Sequence, residues 1–161
     1  GDEITGAAQA TAAAQRAGAV FPMQTTPRCE ILSNFGEARS GGRSHQGVDM
    51  LSTLGQEVYA VRSGTFVERY VASGPDASLS GNAWMLRASD GDEFFYAHLS
   101  AFAPGLALGS SVTSGQLIGY VGDTGNAGAG NYHLHFEYHP GGGAAVDPLT
   151  MLQVPSACRV Y

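Results

Sequence analysis

Residues 84–98 read WMLRASDGDEFFYAH. Trp84–Ala88 and Glu93–His98 are short runs rich in aromatic and aliphatic side chains, and Ser89-Asp90-Gly91-Asp92 stands between them. Asp-Gly between two such runs is a strong β-hairpin signal, because glycine takes the positive φ of a tight connection without steric cost. The same texture continues in both directions. Upstream, Glu57–Arg62 (EVYAVR) and Thr65–Val71 (TFVERYV) flank Ser63-Gly64 and read as another hairpin. Downstream, Gln116–Val121 (QLIGYV) and His133–Tyr138 (HLHFEY) read as strands. The stretch between them, Gly122–Gly130 (GDTGNAGAG), is too glycine-rich for regular structure, and Pro148-Leu149-Thr150-Met151 opens one short helical turn. Closely spaced short strands with no long amphipathic helix predict an all-β fold, an antiparallel sandwich or open barrel with long Gly-rich loops.

The chain has 161 residues, which suits one domain, and 43% hydrophobic against 14% charged residues is a globular composition, not a disordered one. Its 23 glycines follow no period, which excludes collagen. Eight basic against 14 acidic residues leave a formal charge of −6. That balance, with no basic cluster, argues against nucleic acid or an anionic membrane as partner. No apolar run approaches the ~20 residues needed to cross a bilayer. The chain opens Gly1-Asp2-Glu3 without an initiator Met, which reads as a trimmed fragment. Residues 1–18, rich in Ala and Gln with no apolar face, read as a linker or the end of an upstream segment, and 19–161 as the domain. Cys29 and Cys158 lie near the two ends of that body. A disulfide between them is the expectation, worth about 4–5 kcal/mol by loop entropy; two separate buried thiols are the alternative.

The chemistry concentrates in the histidines. His133 and His135 flank Leu134 on a predicted strand, so their imidazoles leave one face about 6–7 Å apart at Cα. His45 and Asp49 enclose Gln46-Gly47-Val48. Fully extended, that pair lies about 13 Å apart, too far to share one metal, so the segment has to bend, and Gly47 permits a bend. His45, Asp49 and one histidine of the later pair supply three ligands and leave a fourth position open, the catalytic rather than the structural zinc arrangement. The remaining histidine of the pair and His98, on another strand, would flank the water, with pKa values suited to proton transfer. The plainer reading of each element alone is a polar strand face or a loop histidine beside a turn-capping Asp.

His45–Asp49 (HQGVD), Tyr96–Ser100 (YAHLS), Gly119–Gly125 (GYVGDTG) and His133–Glu137 (HLHFE) resemble, in order and spacing, the signature blocks of the lysostaphin-type, or LytM-like, zinc metallopeptidases. The likeness runs from about Phe21 to Leu149. Two departures stand out: Asn131-Tyr132 precedes HLH where Gly-Pro is common, and the cysteine pair is not a general family feature. The resemblance implies His45, Asp49 and His135 as ligands of one Zn²⁺, with His98 and His133 lining the water and scissile carbonyl. It further implies an endopeptidase acting on bacterial peptidoglycan crosslinks or stem peptides in an extracytoplasmic location. A monomer is expected, with room for an upstream regulatory segment or an activator.

Smaller readings complete the set. Glu137 shares the histidine face and is either a rival base or a group holding a ligand imidazole. Arg43 is either a carboxylate clamp or a solvated loop charge. His139, beside Pro140 and three glycines, reads as an exposed loop residue, Trp84 and Phe94–Tyr96 as core, and Ser73–Asn82 as a wall of the substrate groove. Two other classes compete with the enzyme: a catalytically silent relative that binds cell wall or activates a hydrolase, and a disulfide-closed β domain with only an interaction role. The full set of expected ligands favours the enzyme over the first, and stoichiometric metal would separate it from the second.

Overall fold

The computed structural model describes residues 20–39 and 42–161, so the segment 1–18 read as a linker lies outside the described residues. Strands are β1 (Glu30–Leu32), β2 (Val48–Leu51), β3 (Glu57–Tyr59), β4 (Gly64–Tyr70) and β5 (Asn82–Arg87). They continue with β6 (Glu93–Phe102), β7 (Ser111–Val112), β8 (Leu117–Val121), β9 (His133–His139) and β10 (Arg159–Val160). Among the described residues there is no α-helix; Gly125–Ala127, Pro140–Gly142 and Pro148–Thr150 form single 3₁₀ turns. The all-β expectation holds. No helix is long and apolar enough to cross a membrane among the described residues.

The ladder runs β10-β1-β2-β9-β6-β5-β4-β7, with β8 joining β6 to β3. The β1–β10 pair is parallel and the remaining strand pairs are antiparallel. Strand alternation divides β9 cleanly: Leu134 and Phe136 are fully buried, while the histidines point from the opposite face. Trp84, Tyr96, Phe66, Phe94 and Phe136 are the largest buried side chains, and Phe66 stacks on Trp84 with centroids 4.0 Å apart. The Trp84 indole N–H donates to the Ile118 carbonyl at 2.9 Å, which satisfies the one polar atom this ring brings into the core. Cys29 and Cys158 form a disulfide that fastens the start of β1 to the approach of β10.

The hairpin over 84–98 forms as read, with β5 pairing β6 from Asn82↔Leu99 to Arg87↔Glu93. The hairpin expected across Ser63-Gly64 does not form: β3 pairs β8, whereas β4 pairs β5 and β7. Ala60 instead exchanges backbone hydrogen bonds with the segment before β8, donating to Gln116 O at 2.9 Å and accepting from Gly115 N at 2.8 Å. Gly64 is glycine for a different reason than a turn. A Cβ there would stand 2.4 Å from the Arg87 carbonyl oxygen, so Gly64 lets β4 start hard against the end of β5.

Candidate metal and catalytic site

Asp49 on β2 stands directly opposite His135 on β9 in the antiparallel register, which brings two distant sequence blocks into side-chain contact. His45 precedes β2 in a short loop held by His45 N–H to Glu37 O at 2.7 Å and Gly36 N–H to His45 O at 2.8 Å. Between them Gly47 marks the predicted bend, yet its requirement is space: a Cβ would meet Phe136 O at 2.2 Å and Phe136 C at 2.9 Å. Gly47→Ala is therefore expected to push β2 away from β9 and to destabilise the domain by about 3 kcal/mol, the upper end for overpacking. Denaturant titration of the variant checks this, and an unchanged midpoint would refute it.

His98 reaches the same face by another device. Alternation along β6 would place it with the core residues Phe94 and Tyr96. The β5–β6 register shifts between Asn82 and Trp84, and His98 has φ 65°, so a bulge turns its side chain over to the face of Ala97. Leu99 then returns to the core. The His98 ring centroid lies 4.9 Å from that of His133 and 6.0 Å from that of His135.

Three donor atoms converge: His45 Nε2 and His135 Nδ1 are 3.1 Å apart, and each is 3.2 Å from Asp49 Oδ1. The far sides of these groups are occupied. His45 Nδ1–H donates to Asn34 O at 3.2 Å, His135 Nε2–H donates to Glu137 Oε2 at 2.7 Å, and Asn34 Nδ2–H donates to Asp49 Oδ2 at 3.1 Å. With those protons turned outward, two nitrogen lone pairs and a carboxylate face one another, an arrangement that calls for a cation between them. The triangle's sides come close to the about 3.3–3.6 Å edge of a tetrahedron with bonds of roughly 2.0–2.2 Å. The residues therefore fit a divalent metal. Glu137, read either as a rival base or as a group holding an imidazole, lies against His135, which fits the second of these. Asn34 was not singled out from sequence; an Asn in a short loop carries no signal beyond a turn preference.

His98 and His133 are set with their Nε2 atoms free of these outward bonds: His98 Nδ1–H donates to Thr124 O at 2.7 Å and His133 Nδ1–H to Asn131 O at 2.9 Å. Both rings are buried. They line a cleft of about 650 Å³ together with the three donor residues. One wall carries Leu79, Ser80, Asn126, Ala127 and Asn131, the other Arg39, Arg43, Ser44 and Gln46. The Ser73–Asn82 segment thus walls the groove through Leu79 and Ser80, and Arg43 faces it. The two loops of the first wall touch backbone to backbone. Gly81 and Gly125 have φ of +67° and +70°, and a Cβ on Gly125 would lie 2.3 Å from both Gly81 N and Leu79 O. His98 is tied to both loops, since its backbone N–H donates to Ser80 O at 2.9 Å while its ring donates to Thr124 O.

Charge follows from these contacts. Burial alone would raise the Asp49 carboxyl, but the His135 and His45 imidazoles beside it outweigh burial and hold the carboxyl well below the usual range. Burial opposes a charge on His135 too, yet hydrogen bonds to Asp49 and Glu137 raise its pKa to about 9, so in metal-free protein Nδ1 takes up a proton that a bound cation would displace. Burial is the main cause that lowers His98 to about 4, so it stays neutral at physiological pH. In metal-free protein these two shifts act on opposite sides. The stability from His135 is complete below its unfolded value near 6.5 and is lost as pH rises through about 9. The stability tied to neutral His98 is complete above 6.5 and is lost as pH falls through about 4. Melting of chelated protein is expected to be highest near pH 6.5, with each arm worth on the order of 3 kcal/mol. A flat melting profile from pH 4 to 9 would refute it.

Comparison with known proteins identifies the family. Residues 43–148 match the model of peptidase family M23. Over 95 residues the chain is 39% identical to the DD-carboxypeptidase/endopeptidase Mpg of Neisseria meningitidis, which covers 59% of this chain and 20% of that protein. Over 123 residues it is 30% identical to an L-Ala–D-Glu endopeptidase of Bacillus subtilis, covering 72% of this chain and 36% of that protein. The chain thus spans only about a fifth to a third of these curated relatives. The catalytic domain of lysostaphin from Staphylococcus simulans superposes with a TM-score of 0.60 at 31% identity, covering 74% of this chain and 89% of that one. With two thirds of its length inside the family match and a shared fold, the chain belongs to peptidase family M23.

Proposed function

We propose that this chain is a zinc endopeptidase that hydrolyses peptide bonds in bacterial peptidoglycan crosslinks or stem peptides. The observation that carries this reading is the meeting of the His45, Asp49 and His135 donors beside His98 and His133 in one cleft. One zinc ion per chain would be held by His45 Nε2, Asp49 Oδ1 and His135 Nδ1. When bound, it supplies Lewis acidity toward water and toward a peptide carbonyl at neutral pH. His98 and His133, each with Nδ1–H donated to a backbone carbonyl, present Nε2 lone pairs that accept the proton of the attacking water. Once protonated, the same nitrogens donate to the tetrahedral oxyanion and pass a proton to the leaving amine. Burial excludes competing water and keeps His98 in the base form before proton transfer.

The names of the relatives specify different bonds, so the bond cut is not inherited from them. Arg39 and Arg43 on the cleft's lip suit a peptide that carries free carboxylates. The Cys29–Cys158 disulfide supports an extracytoplasmic location, where such bonds persist. The test is mass spectrometry of crosslinked muropeptides incubated with the chain, beside a chelated sample and a His98→Ala variant. New peptide termini that vanish in both controls support the reading and name the bond. Failure to cut any of several crosslink types, with one zinc bound per chain, overturns it in favour of a binding module.

A further inference from the structure

His139 is the last residue of β9 and shares the strand face of His133, His135 and Glu137. It is not the exposed loop histidine that its Pro-Gly neighbourhood suggests, since its side chain is 17% exposed. Its Nε2–H donates to Glu137 Oε1 at 2.6 Å and its Nδ1–H to the Gly143 carbonyl at 2.8 Å. An imidazole serves two acceptors only when both nitrogens carry protons. Consistent with that, the Glu137 carboxylate beside it raises the His139 pKa. The Gly143 carbonyl belongs to the turn after β9, where Gly143 N–H closes onto Pro140 O at 3.1 Å.

Glu137 is thereby gripped at both oxygens, Oε1 by His139 and Oε2 by His135 at 2.7 Å. Its stem lies against Gly47, where a Cβ would come within 3.0 Å of Glu137 Cγ. A carboxylate held this way cannot turn without losing a charge-assisted bond. While it accepts the Nε2 proton of His135, Nδ1 is the ring nitrogen turned toward Asp49 and His45, where a metal would take its lone pair. Glu137 lines the cleft but His139 does not, so His139 stands behind the site and away from substrate.

We propose that His139 is a positioning residue for the metal centre: through Glu137 it fixes the tautomer and orientation of His135, and so sets metal affinity. This rests on the metal-site reading above.

The experiment measures Zn²⁺ dissociation constants by chelator competition for the full chain and for His139→Leu, His139→Gln, Glu137→Gln and the Glu137→Gln/His139→Leu double variant. Visible spectra of the Co²⁺-loaded proteins and melting of the metal-free proteins are recorded alongside. His139→Leu is expected to weaken metal binding about tenfold or more and to shift the Co²⁺ spectrum, in the range seen when groups behind metal ligands are removed. His139→Gln, which keeps an N–H donor toward Glu137, is expected to recover most of the loss. The double variant is expected to bind no more weakly than Glu137→Gln alone, because both act through one carboxylate. Binding by His139→Leu within twofold of wild type, or additive losses in the double variant, would overturn the proposal. A wild-type chain that holds no metal would instead overturn the metal-site reading, and the proposal with it.

Discussion

His98→Ala is expected to lower kcat on a cleaved muropeptide by about 10²–10⁴-fold, the usual contribution of a positioned acid–base group, while metal content stays at the wild-type level. His98 touches none of the three donor atoms through a hydrogen bond, so removing it leaves the donor triangle intact. It does remove the ring that holds one loop of a cleft wall at Thr124 O, while the backbone bond of residue 98 to Ser80 O is kept. The truncation therefore carries a structural cost as well, and His98→Gln separates the two effects. Glutamine restores bulk and a donor toward Thr124 but has no basic nitrogen, so stability should recover and kcat should not. If His98→Gln keeps more than a tenth of wild-type kcat, a base role for His98 is untenable.

Asp49→Asn has the second large effect. Asp49 Oδ1 lies 3.2 Å from the nearest nitrogens of His45 and His135 and 3.7 Å from that of His133, so one oxygen serves the whole cluster. A carboxamide has the same shape but no charge, and its NH₂ cannot be a ligand. Metal after dialysis is expected to fall below about a tenth of an equivalent, with activity down by at least about 10³-fold, since zinc ligands must offer charge or lone pairs. Elemental analysis of the dialysed variant, paired with the muropeptide assay, checks both numbers. The metal-free variant should also show a smaller alkaline arm of the melting profile, because the hydrogen bond to this carboxylate is the first of the contacts that raise His135, while Glu137 remains to raise it in part. Full metal occupancy in Asp49→Asn would remove Asp49 from the ligand set.

The sequence was most informative where chemistry and local period coincide. His133 and His135 are two apart on a strand with Leu134 between, and alternation alone puts them on one face. The Asp-Gly turn after Ala88 likewise announced the β5–β6 hairpin. What stayed hidden depends on pairing between distant segments. Asp49 meets His135 because β2 and β9 are in register, which no local pattern encodes. His98 is the sharpest instance: strict alternation along β6 would bury it with Tyr96, and only the bulge at φ 65° delivers it to the site. The residue resemblance pointed to His98; the geometry shows how it arrives. The Ser63-Gly64 signal misled because a glycine needed for close approach to Arg87 looks, in sequence, like a glycine needed for a turn. Asn34 and His139 escaped for a shared reason: each acts by holding another residue, and residues that hold others have no spacing rule.

The contact of Gly81 with Gly125 makes segments 73–82 and 123–131 inseparable as units of inheritance. Neither loop has room for a side chain at the crossing, so neither can change course unless the other yields. A loop exchange would have to carry both segments together, since a side chain brought in at position 125 would stand 2.3 Å from the backbone of the other loop. Room to vary in this wall is left to side chains that project away from the crossing, such as that of Leu79, which is exposed although its backbone takes part in the contact.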